Sequence, residues 1–416
     1  MSGVDTAASG RAVVRPGWWT PARAVALGLW TVLAAVVLLN SLGSFVVDTK
    51  PELYFAPWRS AAAYLSAWQA DPQLGFPSFN VGMAPVAVAV GLVQAVGVPA
   101  ALSVRVLRLL LLVAGSWGAA RLYRAVRPDD RSPVGPLVAG TVFVANPYLV
   151  VAGATQPILL PWALLPWQLL CLVHALRSAG ERGWRAWRWP AGFALAFAAM
   201  SGTNAGVVPL LQLLAVPVVV LVMRVPWRAA LAAVARCAAL VAAVSAYWVL
   251  PSLLAVGAGG TVVENSEPPA AVAGPSSAAE VLRGLGLWTL YGSGGRGQWL
   301  PGFAAYLDSP VVLVASFALP VLAALALLVT RGTARRLGLG LVLLAVPVMV
   351  GLFPPGRPAP FGRLLGRVFD AVPFAGAFRT TNKVGSLLVL GTALLAAGAV
   401  TWAWRWPAGF ALAFAA

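Results

Sequence analysis

Apolar runs of about 20 residues, separated by short arginine clusters, recur along this chain and leave few folds open to it. A run of that length covers the hydrocarbon core of a bilayer as a helix, and helices that satisfy their own backbone polar groups are a stable solution there. The first run is Ala24–Ser44, and others fall at 102–120, 134–152, 157–177, 190–205, 206–223, 229–250, 309–330, 337–353 and 384–402. Hydrophobic residues make up 60% of the 416 and charged residues 10%, far from the balance of a soluble domain. The reading is an all-α polytopic membrane protein with ten spans and the beginning of an eleventh.

The net charge of +17 does not point to nucleic acid, because the arginines sit between apolar runs as the positive-inside rule requires. Arg11, Arg15 and Arg23 precede the first run, which predicts a cytoplasmic N-terminus. That run lacks a small-residue cleavage site and reads as a retained span. The clusters Arg121/Arg124/Arg127/Arg131, Arg177/Arg182/Arg185/Arg188, Arg224/Arg228 and Arg331/Arg335/Arg336 all become cytoplasmic on one condition. The short run Met83–Val98, flanked by Pro85 and Pro99, must not cross, so a re-entrant or interfacial helix is predicted there.

The 12 acidic residues then sort by side. Asp5, Asp129, Asp130 and Glu181 fall inside; Asp48, Glu52, Asp71, Glu264, Glu267, Glu280, Asp308 and Asp370 fall outside. None lies at mid-span, where ion-coupled transporters place ionisable groups. Any chemistry is expected at the outer surface. Asp48 and Lys50 lie two residues apart just after the first run, and they are either an interfacial anchor or a site. Two outer loops are long, about 251–308 and 354–383. Trp288, Tyr291 and Trp299 in the first fit an interfacial belt or a sugar-stacking surface. In the second, Arg357, Arg363, Arg367, Arg379 and Lys383 oppose the positive-inside trend, as either headgroup anchors or ligands for a lipid phosphate. Cys171 and Cys237 lie in or beside apolar runs and suggest neither a disulfide framework nor a metal site. The single histidine, His174, near the end of a run, reads as structural.

Five motifs in order extend this reading: Asp48-Thr49-Lys50 with Leu53, Pro57, Leu65 and Trp68; Pro161-Trp162-Ala163-Leu164-Leu165-Pro166; Gly202-Thr203-Asn204-Ala205; Leu282-Arg283-Gly284; and Phe378-Arg379-Thr380-Thr381-Asn382-Lys383. Together they resemble the N-terminal membrane domain of the actinobacterial alpha-(1→3)-arabinofuranosyltransferases, a GT-C glycosyltransferase fold. In that family the second motif is a proline–tryptophan hairpin and the third a glycine–x–asparagine–alanine turn. The chain departs from the family at Thr381-Asn382-Lys383, where members often carry asparagine–histidine–lysine chemistry. It departs again at Ala154-Thr155-Gln156, where members carry a serine–serine–glutamate run. Residues 1–402 are expected to form the GT-C-like domain. Residues 403–416 repeat 186–199 letter for letter and are expected to be a truncated or misassembled tail.

The resemblance implies a membrane glycosyltransferase that moves arabinofuranose from a polyprenyl-phosphate donor to a growing cell-wall arabinan, with inversion, on the outer face of the plasma membrane. One carboxylate then suffices to take the acceptor hydroxyl proton, whereas double displacement would want a second close by. Asp48 is the candidate base. Lys50, Arg379 and Lys383 are candidates for the leaving phosphate, and Asn204 and Asn382 for substrate contacts. The two ends of the set are expected to meet in one cavity near Asn204, with an apolar opening for the prenyl chain. A divalent cation stays open, since no metal-ligand cluster demands one. A mannosyltransferase of the same fold, or a non-catalytic transporter or scaffold for lipid-linked glycans, stands as the alternative.

Overall fold

Several apolar runs form single helices here, some with a proline inside them, and two others are cut at Asn146 and at Leu213–Leu214. The computed structural model describes residues 21–39, 51–66, 68–69, 75–78, 81–152, 156–200, 206–255, 267–295, 297–372 and 375–404. The first run gives α1 (Pro21–Leu39). Two short helices, α2 (Glu52–Phe55) and α3 (Pro57–Leu65), fold back on α4 (Ala84–Ala95). Next come α5 (Ala100–Val126), α6 (Val134–Val144), α7 (Pro147–Ala152), α8 (Gln156–Arg177) and α9 (Arg185–Met200). They are followed by α10 (Val207–Gln212), α11 (Ala215–Met223) and α12 (Trp227–Leu254). The long connection after α12 contains α13 (Pro269–Ala273), α14 (Ala278–Leu282), α15 (Trp288–Tyr291) and α16 (Ala305–Asp308). The chain closes with α17 (Pro310–Ala315), α18 (Ala318–Val329), α19 (Thr333–Val350), α20 (Pro360–Ala371) and α21 (Gly385–Trp404). Strand is confined, among the described residues, to two short antiparallel ladders, Trp68–Gln69 with Phe76–Pro77 and Ser293–Gly294 with Gly297–Gln298.

The breaks have local causes. The predicted span 134–152 is cut at Asn146, whose Nδ2 donates to the Phe143 carbonyl (2.7 Å) while its Oδ1 accepts from the Leu149 N–H (3.0 Å). Pro147 follows and disfavours helical geometry at the residue before it. The predicted span 206–223 is cut at Leu213–Leu214. Pro217 has no N–H for the Leu213 carbonyl, which accepts from Val216 N instead at 2.9 Å. The predicted proline–tryptophan hairpin is corrected: Pro161 and Pro166 both lie inside the continuous helix α8. Neighbouring helices in a bundle tolerate such prolines by sheltering the freed carbonyls. Here Trp162 stacks on Phe143 at 4.4 Å, and the Trp167 indole donates to the Ala114 carbonyl at 2.8 Å. Those two contacts hold α8 on α6 and α5.

Helix α21 is the centre of the bundle, and most of its residues are buried. Small residues make that possible by letting backbones approach. A Cβ on Gly391 would sit 2.7 Å from the Gly338 carbonyl oxygen, and one on Gly338 would sit 2.8 Å from that of Gly391, so α19 and α21 cross at backbone contact. Asp130 is buried at the α5–α6 turn, where it accepts from the Tyr123 hydroxyl at 3.1 Å and lies 3.8 Å from Arg127. His174 stacks on Trp189 at 4.3 Å, and Cys171 and Cys237 are free thiols.

Among the described residues, six segments are long and apolar enough to cross a membrane: Ala100–Val126, Ile158–Arg177, Trp227–Leu254, Pro310–Val329, Thr333–Val350 and Thr381–Trp404. Shorter apolar ones among them are Ala24–Leu39, Val81–Ala95, Val134–Leu149 and Val207–Met223. The 12 residues of α4 reach about 18 Å, against a hydrocarbon core of about 30 Å. Its Gln94 donates to the Tyr54 carbonyl (2.8 Å) and to Ser103 (3.1 Å), which ties α4 to α2 and α5. The architecture is that of a multi-pass helical membrane protein.

Candidate functional site

Of the residues singled out by sequence, Arg379, Asn382 and Lys383 share one short segment, the 3-10 turn Thr381–Val384 and the residues just before it. Asp48, Lys50 and Asn204 lie outside the described residues. So do Ala154 and Thr155, and with them one end of the expected shared cavity.

The turn is wedged between helices. It packs on α19 and α10, and Thr381 Oγ1 donates to the Met349 carbonyl at 3.3 Å. Asn382 is 4% exposed, and its Nδ2 donates to the Leu285 carbonyl at 3.4 Å. Gly286 makes this approach possible: its φ of +92° suits glycine, and a Cβ there would meet Asn382 Nδ2 at 3.3 Å. The Asn382 Oδ1 is buried and has no partner among the described residues. Such an oxygen is costly in a packed interior and asks for an explanation.

The cations of the segment differ in their commitments. Arg379 is bound by Glu267: Nε donates to its backbone carbonyl (2.9 Å), Nη2 pairs with its carboxylate (3.3 Å), and Nη1 donates to the Gly376 carbonyl (3.1 Å). Lys383 is half-buried one residue after Asn382, and its ammonium makes no hydrogen bond or ion pair within the described residues. A cation and an acceptor oxygen therefore stand unengaged on adjacent residues.

The connection before α17 braces this turn. Arg283 is 3% exposed; it donates to Ser316 Oγ (2.6 Å), Glu280 (2.5 Å) and the Tyr306 carbonyl (2.7 Å). The Tyr291 hydroxyl donates to the other Glu280 oxygen, and burial together with that carboxylate pushes the Tyr291 phenol up. The Leu282-Arg283-Gly284 motif is thus a clamp that holds the backbone carrying Gly286. Trp288 and Trp299 meet edge to face at 5.4 Å, with Trp299 exposed. In the segment that follows Lys50, the Tyr64 hydroxyl donates to Glu52 at 2.8 Å and pins α2 to α3; burial first, then Glu52, pushes this phenol up.

Sequence reasoning missed Glu267 as the partner of Arg379, because 112 residues separate them and neither neighbourhood signals the pairing. It also missed the clamp, although Glu280 and Arg283, three apart, carry an ion-pair spacing. No group of three or more His, Cys, Asp or Glu stands together among the described residues.

The class is that of a multi-pass helical membrane protein that carries this charged turn beside a braced connection. The sequence profile of the alpha-(1->3)-arabinofuranosyltransferase N-terminal GT-C domain matches residues 32–409, and the chain belongs to that family. It is 29% identical over 394 residues to an alpha-(1->3)-arabinofuranosyltransferase of Mycobacterium tuberculosis, a match covering 88% of this chain and 26% of that one. A cryo-EM structure of the arabinofuranosyltransferase AftD from mycobacteria aligns over 93% of this chain with a TM-score of 0.61. At 23% identity that likeness is one of fold, and the chain spans 27% of that protein's length.

Proposed function

We propose that this domain transfers arabinofuranose from a polyprenyl-phosphate donor to an arabinan acceptor, with inversion, on the outer face of the plasma membrane, its N-terminus being cytoplasmic. The observation that carries the reading is the unengaged pair on one turn, the buried Asn382 Oδ1 and the Lys383 ammonium, in a chain of this family.

In this reading Asp48 takes the proton from the acceptor hydroxyl as that oxygen bonds to the anomeric carbon. The bond from anomeric carbon to phosphate oxygen breaks on the opposite face, and its electron pair leaves with the phosphate. The charge that develops there needs a preorganised cation. Lys383 is suited to supply it, with Lys50 as the second. Arg379, committed to Glu267, holds the turn in place and lies close enough to add to the positive field. Asn382 Oδ1 accepts from a sugar hydroxyl, and Asn204, in the sequence just before α10, contacts the substrate.

A transfer assay with a synthetic prenyl-phosphate arabinofuranose tests this. Lys383→Met should lower kcat/KM by about 10²–10³, the size of a lost charge-stabilising donor, with Lys383→Arg retaining part of the rate. If Lys383→Met transfers arabinose at the wild-type rate, the assignment of the phosphate to this turn is wrong.

A further inference from the structure

Helix α12 is long and apolar enough to cross a membrane, yet it carries a charge well inside its length, Arg236. A cation within a span is costly unless it is paired or reaches the interface. Among the described residues Arg236 makes no hydrogen bond and no ion pair. The residue is half-buried, and none of its nitrogens is enclosed, so the guanidinium reaches the surface. It lies over the Trp187 ring of α9, 5.9 Å from the centroid.

That contact sets its depth. Helices α9 and α12 run the same way, since Phe197 and Trp248 share a cluster farther along both. Trp187 stands in the first turn of α9, whose 16 residues reach about 24 Å of a hydrocarbon core of about 30 Å. The guanidinium therefore lies at the edge of the bilayer, at headgroup depth. Arg182 and Arg185 stand at the same end of α9, exposed and also without a hydrogen bond or ion pair among the described residues. Glu181, the acid of that stretch, is exposed and pairs with neither. Farther into the membrane, Ala239 and Ala243 follow Arg236 along one face of α12 and are exposed, and Leu195 of α9 is 66% exposed.

This arrangement selects an occupant. A guanidinium held by its face on an indole keeps its edge free, and that edge offers two parallel N–H groups to the oxygens of a phosphate. An inorganic phosphate would satisfy the cation and leave the apolar strip beside it bare. A phospholipid covers both, with its phosphate at the guanidinium and a chain along the strip. The uncompensated charge of Arg182 and Arg185 favours an anionic headgroup over a zwitterionic one. We propose that the edge between α9 and α12 is a site for one anionic phospholipid. Its phosphate is held by Arg236, which Trp187 orients, and an acyl chain lies over Ala239, Ala243 and Leu195. The proposal is independent of arabinosyl transfer.

The test uses the full chain in detergent and reads lipid binding by native mass spectrometry. Phosphatidylglycerol and phosphatidylcholine with the same acyl chains are compared. Wild type should bind its first phosphatidylglycerol about fivefold more tightly than its first phosphatidylcholine, as one surface cation near an anionic lipid gives. Arg236→Gln should weaken phosphatidylglycerol by about tenfold, the size of one charge-assisted hydrogen bond, and Arg236→Lys by less. Arg228→Gln, whose guanidinium lies over Trp227 at 5.4 Å, should change binding by less than about twofold. Should Arg236→Gln fail to fold, Trp187→Leu, which removes the orienting ring, should weaken phosphatidylglycerol by about threefold. Millimolar inorganic phosphate should leave the lipid bound. Equal affinity for the two lipids, unchanged binding in Arg236→Gln, or displacement by inorganic phosphate each overturns the proposal.

Discussion

Replacing Asn382 by leucine separates a functional residue from a packing residue, because the first role predicts lost activity at unchanged stability and the second predicts lost stability. The side chain is 4% exposed, with Oδ1 unpaired and Nδ2 engaged at 3.4 Å, the long end of hydrogen-bond geometry. Leucine has nearly the same shape. It removes one buried orphan, the Asn382 Oδ1, and creates another, the Leu285 carbonyl, and each costs about 1–3 kcal/mol. The two offset, and the net change in stability is about zero. Thermal unfolding of purified protein in detergent should therefore show Asn382→Leu melting within about 2 °C of wild type. Arabinosyl transfer should fall by at least about tenfold through the lost sugar contact. A variant that melts well below wild type, with activity lost in proportion, would refute the reasoning and make Asn382 a structural residue.

Further perturbations address the clamp, the bundle core and the topology. Arg283→Met leaves Glu280 Oε1 and the Tyr306 carbonyl without their donor, and should destabilise by about 3–5 kcal/mol in thermal unfolding. Arg283→Lys should recover little of that, because one ammonium cannot reach the three acceptors that the guanidinium spans. Gly391→Val places a Cβ 2.7 Å from the Gly338 oxygen and should cost about 1–3 kcal/mol by forcing α19 and α21 apart, read as a lowered melting temperature. Single cysteines at Ala62, Ser293 and Arg357, all exposed, in a background without Cys171 and Cys237, should label in intact cells with a membrane-impermeant thiol reagent. Labelling of only one of the three would contradict the outward assignment of these segments.

The long helices were legible because hydropathy and arginine placement set them directly. The predicted span 229–250 appears as Trp227–Leu254, and 384–402 as Gly385–Trp404. The interruptions were not. Whether a proline breaks a helix depends on what shelters the freed carbonyl: Pro217 coincides with a break, while Pro161 and Pro166 ride inside α8, where Trp162 and Trp167 lock it to its neighbours. On the site, sequence pattern brought Arg379, Asn382 and Lys383 to one segment, since they are consecutive or nearly so. It did not show that Arg379 is held by Glu267 while Lys383 is left unengaged. That division of labour arises from a tertiary contact across 112 residues, which no local spacing encodes.

The proposal of inverting arabinosyl transfer rests on Asp48 as the base, and Asp48→Asn tests it most directly, since the amide keeps the volume and removes the basicity. Wild-type and variant protein, reconstituted in proteoliposomes and matched for folding by thermal unfolding, would be given a prenyl-phosphate arabinofuranose and an arabinan oligosaccharide. Their initial rates and the anomeric configuration of the product would then be measured. The account predicts an alpha-linked product from the wild type and a rate lower by about 10²–10⁴ in Asp48→Asn, the contribution of a positioned general base. A correctly folded Asp48→Asn protein that transfers arabinose at near the wild-type rate would contradict it.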